Sequence, residues 1–135
     1  MKKREPVSHI MTKDLYTVSL NDNLKDAYEL MKSKKIRHIP VVSGDKLIGI
    51  LSITDILRLS FGLEEDLDAS VFKMFSIEQV MKHHPKSVSP SDEIREVAEI
   101  LTKEEFHALP VTENDKLVGI VTTTDIIKYL LEQYK

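Results

Sequence analysis

The sequence contains no cysteine, which excludes disulfide bonds, thiolate catalysis and zinc sites built on sulfur. It also has only four glycines, and none of them belongs to a Walker loop, a GxSxG elbow or a GxGxxG phosphate loop. We find no set of residues that combines a nucleophile, a base and an orienting group. The sequence therefore predicts a binding protein and not an enzyme.

The chain also lacks a large excess of charge and any long apolar run. Nineteen Lys and Arg residues against 22 Asp and Glu residues give a formal net charge of −3, so no overall field draws the protein to a polyanion. No stretch approaches the roughly 20 apolar residues that a membrane span needs, and no apolar run follows the basic start at residues 2–4. We predict a cytoplasmic protein that binds neither nucleic acid nor a membrane.

What the chain does contain is an internal repeat. With 135 residues, of which 41% are hydrophobic, it is long enough for a compact globular module. An offset of 70 residues aligns the two halves without a gap, so that residues 7–58 and 77–128 are two copies of one unit. We predict a first repeat with an N-terminal arm over 1–66 and a second repeat with a connecting helix over 67–135, which together form one compact module.

Each copy predicts the order strand, helix, strand, strand, helix. The long helix is indicated by apolar residues at i, i+3, i+4 and i+7, which are Leu24, Ala27, Tyr28 and Met31 in the first copy and Ile94, Val97, Ala98 and Leu101 in the second. First strands are predicted over 15–19 and 86–89, and second helices over 54–61 and 124–134. Two-residue hairpins are predicted at Gly44 and Asp45 and at Asn114 and Asp115.

The connector between the copies contains an acidic run, Glu64 to Asp68, which we expect to be a solvated turn. A helix is predicted from about Asp68, and Ser76 and Gln79 have capping-box spacing for a further short helix.

One stretch occurs twice, Gly49 to Asp55 and Gly119 to Asp125. Each is a short apolar strand that ends in a hydroxyl residue, with an aspartate three positions later at the predicted start of a helix. Such a junction can hold a small polar ligand, because the side chains and the helix amides point at one place. It can equally be an ordinary helix cap, and the motif alone leaves both interpretations open. For Gly49 and Gly119 we expect a structural role, namely close packing in a buried strand.

The ordered set of motifs resembles a tandem pair of CBS domains and covers nearly the whole chain. The first copy contributes Ile10 Met11, Thr17 Val18 Ser19, Ile39 Pro40 Val41, Leu47 Ile48 Gly49 Ile50 and Ser52 Ile53 Thr54 Asp55. The second contributes Val80 Met81, Ser87 Val88 Ser89, Leu109 Pro110 Val111 and Gly119 Ile120 Val121 Thr122 Thr123 Thr124 Asp125.

The resemblance implies an α/β fold of two pseudo-symmetric β-α-β-β-α repeats packed through their sheets, with ligand clefts between them. It implies a regulatory module that requires no cofactor and binds adenosyl compounds, above all AMP, ADP or ATP, and sometimes S-adenosylmethionine or NAD. It further implies a homodimer that signals to a separate effector protein. The alternative is a dimerisation or scaffold protein that binds no ligand.

By motif match, the resemblance also implies roles for individual residues. Asp55 and Asp125 would bind the ribose hydroxyls, and the hydroxyl side chains of Ser52, Thr54, Thr122 and Thr124 would line the ribose and phosphate. The first-strand residues Thr17, Val18, Ser87 and Val88 would lie by the adenine, and the basic residues Arg37, His38 and His107 would face phosphate. Because Arg37 and His38 become His107 and Ala108 in the second copy, we expect the two sites to be unequal.

The histidines His83 and His84 invite a metal hypothesis, with His9 as a third ligand. Adjacent histidines point in different directions, however, and no cysteine, HExxH motif or carboxylate cluster completes a site. We therefore expect no metal site.

Overall fold

The computed structural model describes residues 4–60, 68–104 and 107–135. The chain divides into two compact units. The first-repeat unit is residues 16–85, and the second-repeat unit joins the described residues of 1–15 to residues 86–135. The acidic run at 64–67 and the predicted helix end at Phe61 lie outside the described residues.

The described residues of the first-repeat unit include four strands that are hydrogen-bonded to one another. These strands are β1 (Val18–Ser19), β2 (His38–Ser43), β3 (Lys46–Ser52) and β4 (Lys82–His83). Strand β1 runs parallel to β2, and β3 is antiparallel to both β2 and β4. Strands β2 and β3 meet at Gly44, whose φ of 64° requires a residue that tolerates the left-handed region. The predicted hairpin is confirmed.

The described residues of the first-repeat unit form four helices: α1 (Leu24–Lys34), α2 (Ile53–Leu57), α3 (Ala69–Met74) and α4 (Ile77–Val80). Helix α2 is shorter than predicted, because the chain continues as a 3-10 turn over Arg58–Ser60. The predicted helix after Asp68 and the capping box of Ser76 and Gln79 are both confirmed. The four apolar residues that predicted α1 are all buried.

The second-repeat unit has the same plan. It contains α5 (Ile94–Lys103), β5 (Ala108–Glu113), β6 (Lys116–Thr122) and α6 (Thr123–Glu132), and β5 and β6 are antiparallel. Their turn has positive φ at Asn114 and Asp115, 53° and 66°, as the hairpin prediction required. The strand predicted over 86–89 is reduced to one parallel bridge between Val88 and Val111. A mixed α/β fold, as predicted, is present in both units.

Each repeat is completed by the opening residues of the other copy. The amide of Val7 donates to the carbonyl of Asp92 at 2.7 Å, and Thr12 exchanges two backbone hydrogen bonds with Ile120 at 2.8 and 3.0 Å. In the same way β4, which lies in the opening residues of the second copy, pairs with β3. The structural units therefore divide the chain differently from the predicted boundary at residues 66 and 67, because these backbone pairings place the arm with the second repeat.

Each unit has its own apolar core. In the first-repeat unit the buried cluster is Val18, Leu24, Ala27, Tyr28, Met31, Ile39, Val41, Leu51, Ile56, Ile77 and Met81. In the second-repeat unit it is Val7, Val88, Ile94, Val97, Leu101, Leu109, Val111, Val121, Ile126 and Tyr129. Each core includes residues of the central strand and of the helix that follows it, so it holds the junction between the two elements in place.

Gly49 and Gly119 lie where the segment that pairs with the central strand of each unit approaches that strand closely. A Cβ atom on Gly49 would overlap the sulfur of Met81 and lie 2.9 Å from the carbonyl oxygen of Lys82. A Cβ on Gly119 would meet the sulfur of Met11 and lie 3.2 Å from the carbonyl oxygen of Thr12. The predicted close packing at both glycines is confirmed.

Candidate functional site

The first candidate corner is the junction of β3 and α2 in the first-repeat unit. Ser52 ends the strand, and its hydroxyl oxygen accepts a hydrogen bond from the amide of Asp55 at 3.0 Å. This bond satisfies one of the amides that a helix leaves without a partner in its first turn. The capping role is thus present at Ser52, and its hydroxyl hydrogen still has the capacity to be donated.

The basic residues predicted to face phosphate are brought to this corner. His38 is the partner of Ser52 across the sheet. The amide of Ile53 donates to the carbonyl of Arg37 at 2.9 Å, which holds Arg37 beside the first residue of α2. The side chain of Arg37 is exposed and that of His38 is half-buried.

The first strand contributes from the neighbouring position in the sheet. Val18 pairs with Val41 in parallel register, so Thr17 lies toward the end of β2 that carries His38. Thr17 is exposed, whereas Val18 is only 5% exposed and belongs to the core. Val88, also 5% exposed, belongs to the core of the second-repeat unit.

The second candidate corner, between β6 and α6, repeats this arrangement with one more hydrogen bond. The hydroxyl of Thr122 accepts from the amide of Asp125 at 3.1 Å, and the carboxylate of Asp125 accepts from the amide of Thr122 at 2.9 Å. The amide of Thr123 donates to the carbonyl of His107 at 3.0 Å. This reciprocal pair is a capping box.

Ser87 lies in the strand segment of the second-repeat unit that corresponds to Thr17. Its hydroxyl accepts a hydrogen bond from the hydroxyl of Thr112 at 3.2 Å. Val42 stands at the position of Thr112 in the first repeat, so this bond has no counterpart there. Thr54 and Thr124, the central threonines of the two motifs, are exposed.

The two aspartates differ in their partners. One carboxylate oxygen of Asp55, Oδ1, accepts from Nη1 of Arg58 at 3.1 Å. The other oxygen, Oδ2, is buried and has no hydrogen-bond partner among the described residues. The side chain of Asp55 is 12% exposed and that of Arg58 is 71% exposed. Arg58 was not among the predicted site residues, although a basic residue three positions after Asp55 on a helix has the spacing of an ion pair.

A groove of about 330 Å³ opens beside the first corner, a volume near the lower end of the range for small-molecule pockets. It runs between the end of α1 and helix α2, and its lining includes Lys35, Arg37, Ile53 and Leu57. Cationic and apolar groups thus lie side by side on the Arg37 side of the corner.

Two of the three histidines considered for metal binding have other side-chain partners. The Nε2–H group of His83 donates to the carbonyl of Glu78 at 2.8 Å, and Nδ1 of His9 lies 3.1 Å from a carboxylate oxygen of Glu5. Across residues 4–60, 68–104 and 107–135, no three His, Cys, Asp or Glu side chains form a group suited to a metal. Within the same ranges, each helix falls short of the length and apolar character needed to cross a membrane.

The chemistry of each corner suits a nucleoside. A carboxylate can accept hydrogen bonds from both hydroxyls of a ribose, and neighbouring Ser and Thr hydroxyls can donate to an oxygen. The guanidinium of Arg37 can bind a phosphate through two parallel hydrogen bonds, whereas His107 offers a smaller and titratable group.

Comparison with known proteins identifies the family to which the chain is similar. The family model of the CBS domain matches residues 7–62 and again residues 77–132. Among curated proteins, MJ1225 of Methanocaldococcus jannaschii is 29% identical over 133 residues, which cover 94% of this chain and 48% of that protein. The chain thus spans about half the length of this relative.

Solved structures match the chain over almost its whole length. CBSX2 of Arabidopsis thaliana, crystallised in complex with AMP, is 27% identical with a TM-score of 0.84, covering 96% of this chain and 98% of that one. The CBS domain pair of MJ0100, in complex with 5′-methylthioadenosine and S-adenosylmethionine, is 25% identical with a TM-score of 0.80, covering 97% and 98%.

Proposed function

Because the chain belongs to the CBS-domain family, as its motifs indicated, we propose that it is a regulatory module that binds an adenosyl compound at its two strand-to-helix corners. One observation carries the proposal: each unit gathers a carboxylate, hydroxyl side chains and a basic residue at matching positions of one corner. CBS-domain pairs are generally regulatory and not catalytic, so the proposed role is binding. Two similar pairs have been crystallised with AMP or with S-adenosylmethionine, which supports this ligand class.

The proposed roles follow the motif positions. Asp55 and Asp125 accept the ribose hydroxyls, and the four motif hydroxyls, on Ser52, Thr54, Thr122 and Thr124, line the ribose and phosphate. Thr17 and Ser87, with Val18 and Val88, lie by the base. Arg37, His38 and His107 face phosphate, and their uneven distribution favours a more highly phosphorylated ligand at the first corner.

We propose AMP, ADP or ATP as the first candidates, followed by S-adenosylmethionine. A phosphate is favoured by Arg37, which is exposed and held at the corner through its carbonyl. For any ligand to act as a signal, it must bind one arrangement of the protein more tightly than another. The recipient of the signal is proposed to be a separate effector protein in the cytoplasm.

We propose a homodimer, and helix α6 offers a surface for it. Ile127, Leu130, Leu131 and Tyr134 are between 40% and 85% exposed and follow the i, i+3, i+4, i+7 spacing of one helical face. The same stripe favours the second candidate function, a dimerisation or scaffold protein whose corners bind nothing, because an exposed apolar face is suited to a protein partner.

A thermal-unfolding screen separates the two functions. The chain is unfolded with AMP, ADP, ATP, S-adenosylmethionine, 5′-methylthioadenosine and NAD, with guanosine monophosphate as the control for nonspecific phosphate binding. A ligand present at 100 times its dissociation constant adds about 2.7 kcal/mol to the free energy of unfolding, which raises the unfolding midpoint by several degrees. We expect at least one adenosyl compound to do so. If none does, and the chain is dimeric by light scattering, the scaffold function replaces this proposal.

A further inference from the structure

We propose that the outer face of helix α1, with the grooves on either side of it, is a docking surface for an acidic amphipathic helix of the effector protein. This inference rests on the proposed function, because it names the kind of partner that receives the signal. We call this face the α1 surface, and its principal residues are Tyr28, Lys32, Lys35, Arg37, Leu57 and Phe72.

The α1 surface is open and elongated. A groove of about 570 Å³ lies between α1 and α3, and the narrower groove of about 330 Å³ lies between the end of α1 and α2. Tyr28 and Lys32 line both grooves. Helix α1 has 11 residues, a length of about 16 Å. Such a surface is suited to a helix lying in a groove, whereas a small ligand is usually enclosed over most of its own surface.

The floor of the α1 surface is apolar and aromatic. The ring centroids of Tyr28 and Phe72 are 5.4 Å apart, and the lining of the narrower groove includes Met31, Ile53 and Leu57. Leu57 and Phe72 are half-buried, so part of each side chain is available to a partner. This floor is suited to the apolar side chains on one face of an amphipathic helix.

The rim of the α1 surface is cationic. The described residues that line the two grooves include four cations and two acids, and both acids have partners. A carboxylate oxygen of Glu29 lies 4.0 Å from Nζ of Lys25, and the carboxylate of Asp68 accepts from the hydroxyl of Ser70 at 2.6 Å. The other three cations, which are exposed, are Lys32, Lys35 and Arg37. The rim is therefore complementary to a partner that places carboxylates beside apolar side chains.

This charge is particular to the first copy. In the second copy, the positions of the three exposed cations hold an uncharged, an acidic and a titratable residue, namely Thr102, Glu105 and His107. The apolar character is kept at one key position, since Ile127 corresponds to Leu57. A cationic rim that the fold itself required would occur in both copies, so the difference favours a partner that binds the first repeat.

Helix α2 connects the α1 surface to the first candidate corner. Ile53 and Leu57 are four residues apart and share the face of α2 that lines the narrower groove. Asp55 projects from the opposite side of the same helix, because successive residues are about 100° apart. Since α2 has only five residues, a ligand that moves it at Asp55 also moves Leu57. Partner and ligand then alter each other's affinity by the same factor.

The test is the binding of a fluorescently labelled synthetic helix to the full chain, measured by anisotropy without nucleotide. The probe has leucines at i, i+3, i+4 and i+7 with glutamates flanking them, and the control peptide has lysines in place of the glutamates. We expect saturable binding of the acidic peptide that weakens as salt is added, and at least about tenfold weaker binding of the control. Lack of saturable binding by the acidic peptide would overturn the inference.

A matched pair of double variants locates the binding. Lys32→Glu/Lys35→Glu is expected to weaken the acidic peptide at least about tenfold. Lys82→Glu/Lys103→Glu makes the same change in net charge at exposed lysines outside the α1 surface, and its affinity is expected to stay within about twofold of the unmodified chain. Thermal unfolding confirms that both are folded. Equal losses in the two variants would contradict the inference, because they would reflect net charge alone.

Two further measurements identify a different occupant. If the unmodified chain is a dimer by light scattering and Lys32→Glu/Lys35→Glu dissociates it, a second copy covers the α1 surface and the inference is wrong. Binding of decanoate without binding of the acidic peptide would assign the narrower groove to a small amphipathic anion, which also contradicts the inference.

The outcomes separate this inference from the proposed function. If AMP binds the unmodified chain and the acidic peptide does not, the inference fails while the binding function stands. If the acidic peptide binds and none of the adenosyl compounds does, the α1 surface remains a docking surface and the adenosyl-binding function is wrong.

Discussion

At the scale of single residues, the two copies have retained the same contact where packing demands it. Gly49 and Gly119 each leave room for a methionine sulfur and for the main chain of the segment that crosses the strand. The contacts are made by Met81 and Met11, which are themselves 70 positions apart. The same structural need is therefore met twice by the same pair of residue types.

Replacing Gly49 with alanine is expected to destabilise the protein by about 1–3 kcal/mol, the usual cost of adding atoms to a packed site. The added Cβ would lie 2.9 Å from the carbonyl oxygen of Lys82, a main-chain atom that moves only with its strand. Urea unfolding measures the loss. The matched variant Gly119→Ala is expected to cost less, because its nearest main-chain oxygen is 3.2 Å away. Equal stability of Gly49→Ala and the unmodified chain would refute this account of the packing.

The positions of the two motif aspartates could be predicted from the sequence, but their hydrogen bonds could not. Asp55 and Asp125 occupy the same place in the same motif, and their location at a strand-to-helix corner is confirmed. Their hydrogen bonds nevertheless differ, because the carboxylate of Asp125 accepts from the amide of Thr122, whereas that of Asp55 accepts from the guanidinium of Arg58. The motif and its spacing are the same in both copies, so they do not predict this difference.

At the scale of elements, local chemistry determines where the short helices begin. Helix α4 begins at a capping box formed by Ser76 and Gln79. Helix α3 begins at Asp68, whose carboxylate accepts from the hydroxyl of Ser70 at 2.6 Å and from the amide of Val71 at 3.2 Å. The hydrogen bond from the Ser70 hydroxyl, followed by that from the Val71 amide, lowers the pKa of Asp68 below its ordinary value of 3.8.

The cap at Asp68 is expected to depend on pH. Because the pKa is lower in the folded state, the stabilisation by the carboxylate is complete well above pH 3.8 and is lost as the pH falls through the folded-state value. Asp68→Ala is therefore expected to reduce stability at neutral pH and to matter progressively less as the pH falls from about 5 to about 2. Urea unfolding at several pH values measures this.

The control for that experiment is Ser76→Ala, which removes a cap that does not titrate. Its cost, typically about 1 kcal/mol, is expected to be the same at both ends of the pH range. If the cost of Asp68→Ala is also independent of pH, the carboxylate is not what caps α3.

Helices and hairpins were predicted well, because a local sequence pattern defines them. Strand pairings between segments that are distant in the chain were predicted poorly. The hairpin at Asn114 and the long helices follow from turn chemistry and from apolar spacing, both of which act over a few residues. The pairing of Thr12 with Ile120 joins residues that are far apart in the chain. Nothing in the local sequence of the arm indicates which strand it completes.

At the scale of the whole molecule, the repeat gives one chain two related strand-to-helix corners. Each unit carries its own core and its own strand-to-helix corner. The basic residues differ between the units, since the first has Arg37 and His38 where the second has His107 and Ala108. If both corners bind a ligand with unequal affinity, as proposed, one chain responds over a wider range of ligand concentration than a single site does.

The most direct measurement of the central claim is the affinity for AMP of the double variant Asp55→Ala/Asp125→Ala, compared with the unmodified chain by calorimetric titration. The account predicts saturable binding to the unmodified chain and at least a tenfold weaker affinity in the double variant, because each lost carboxylate removes charged acceptors for the ribose hydroxyls. Thermal unfolding of the variant without ligand confirms that it is folded. Full affinity in a folded double variant would contradict the account.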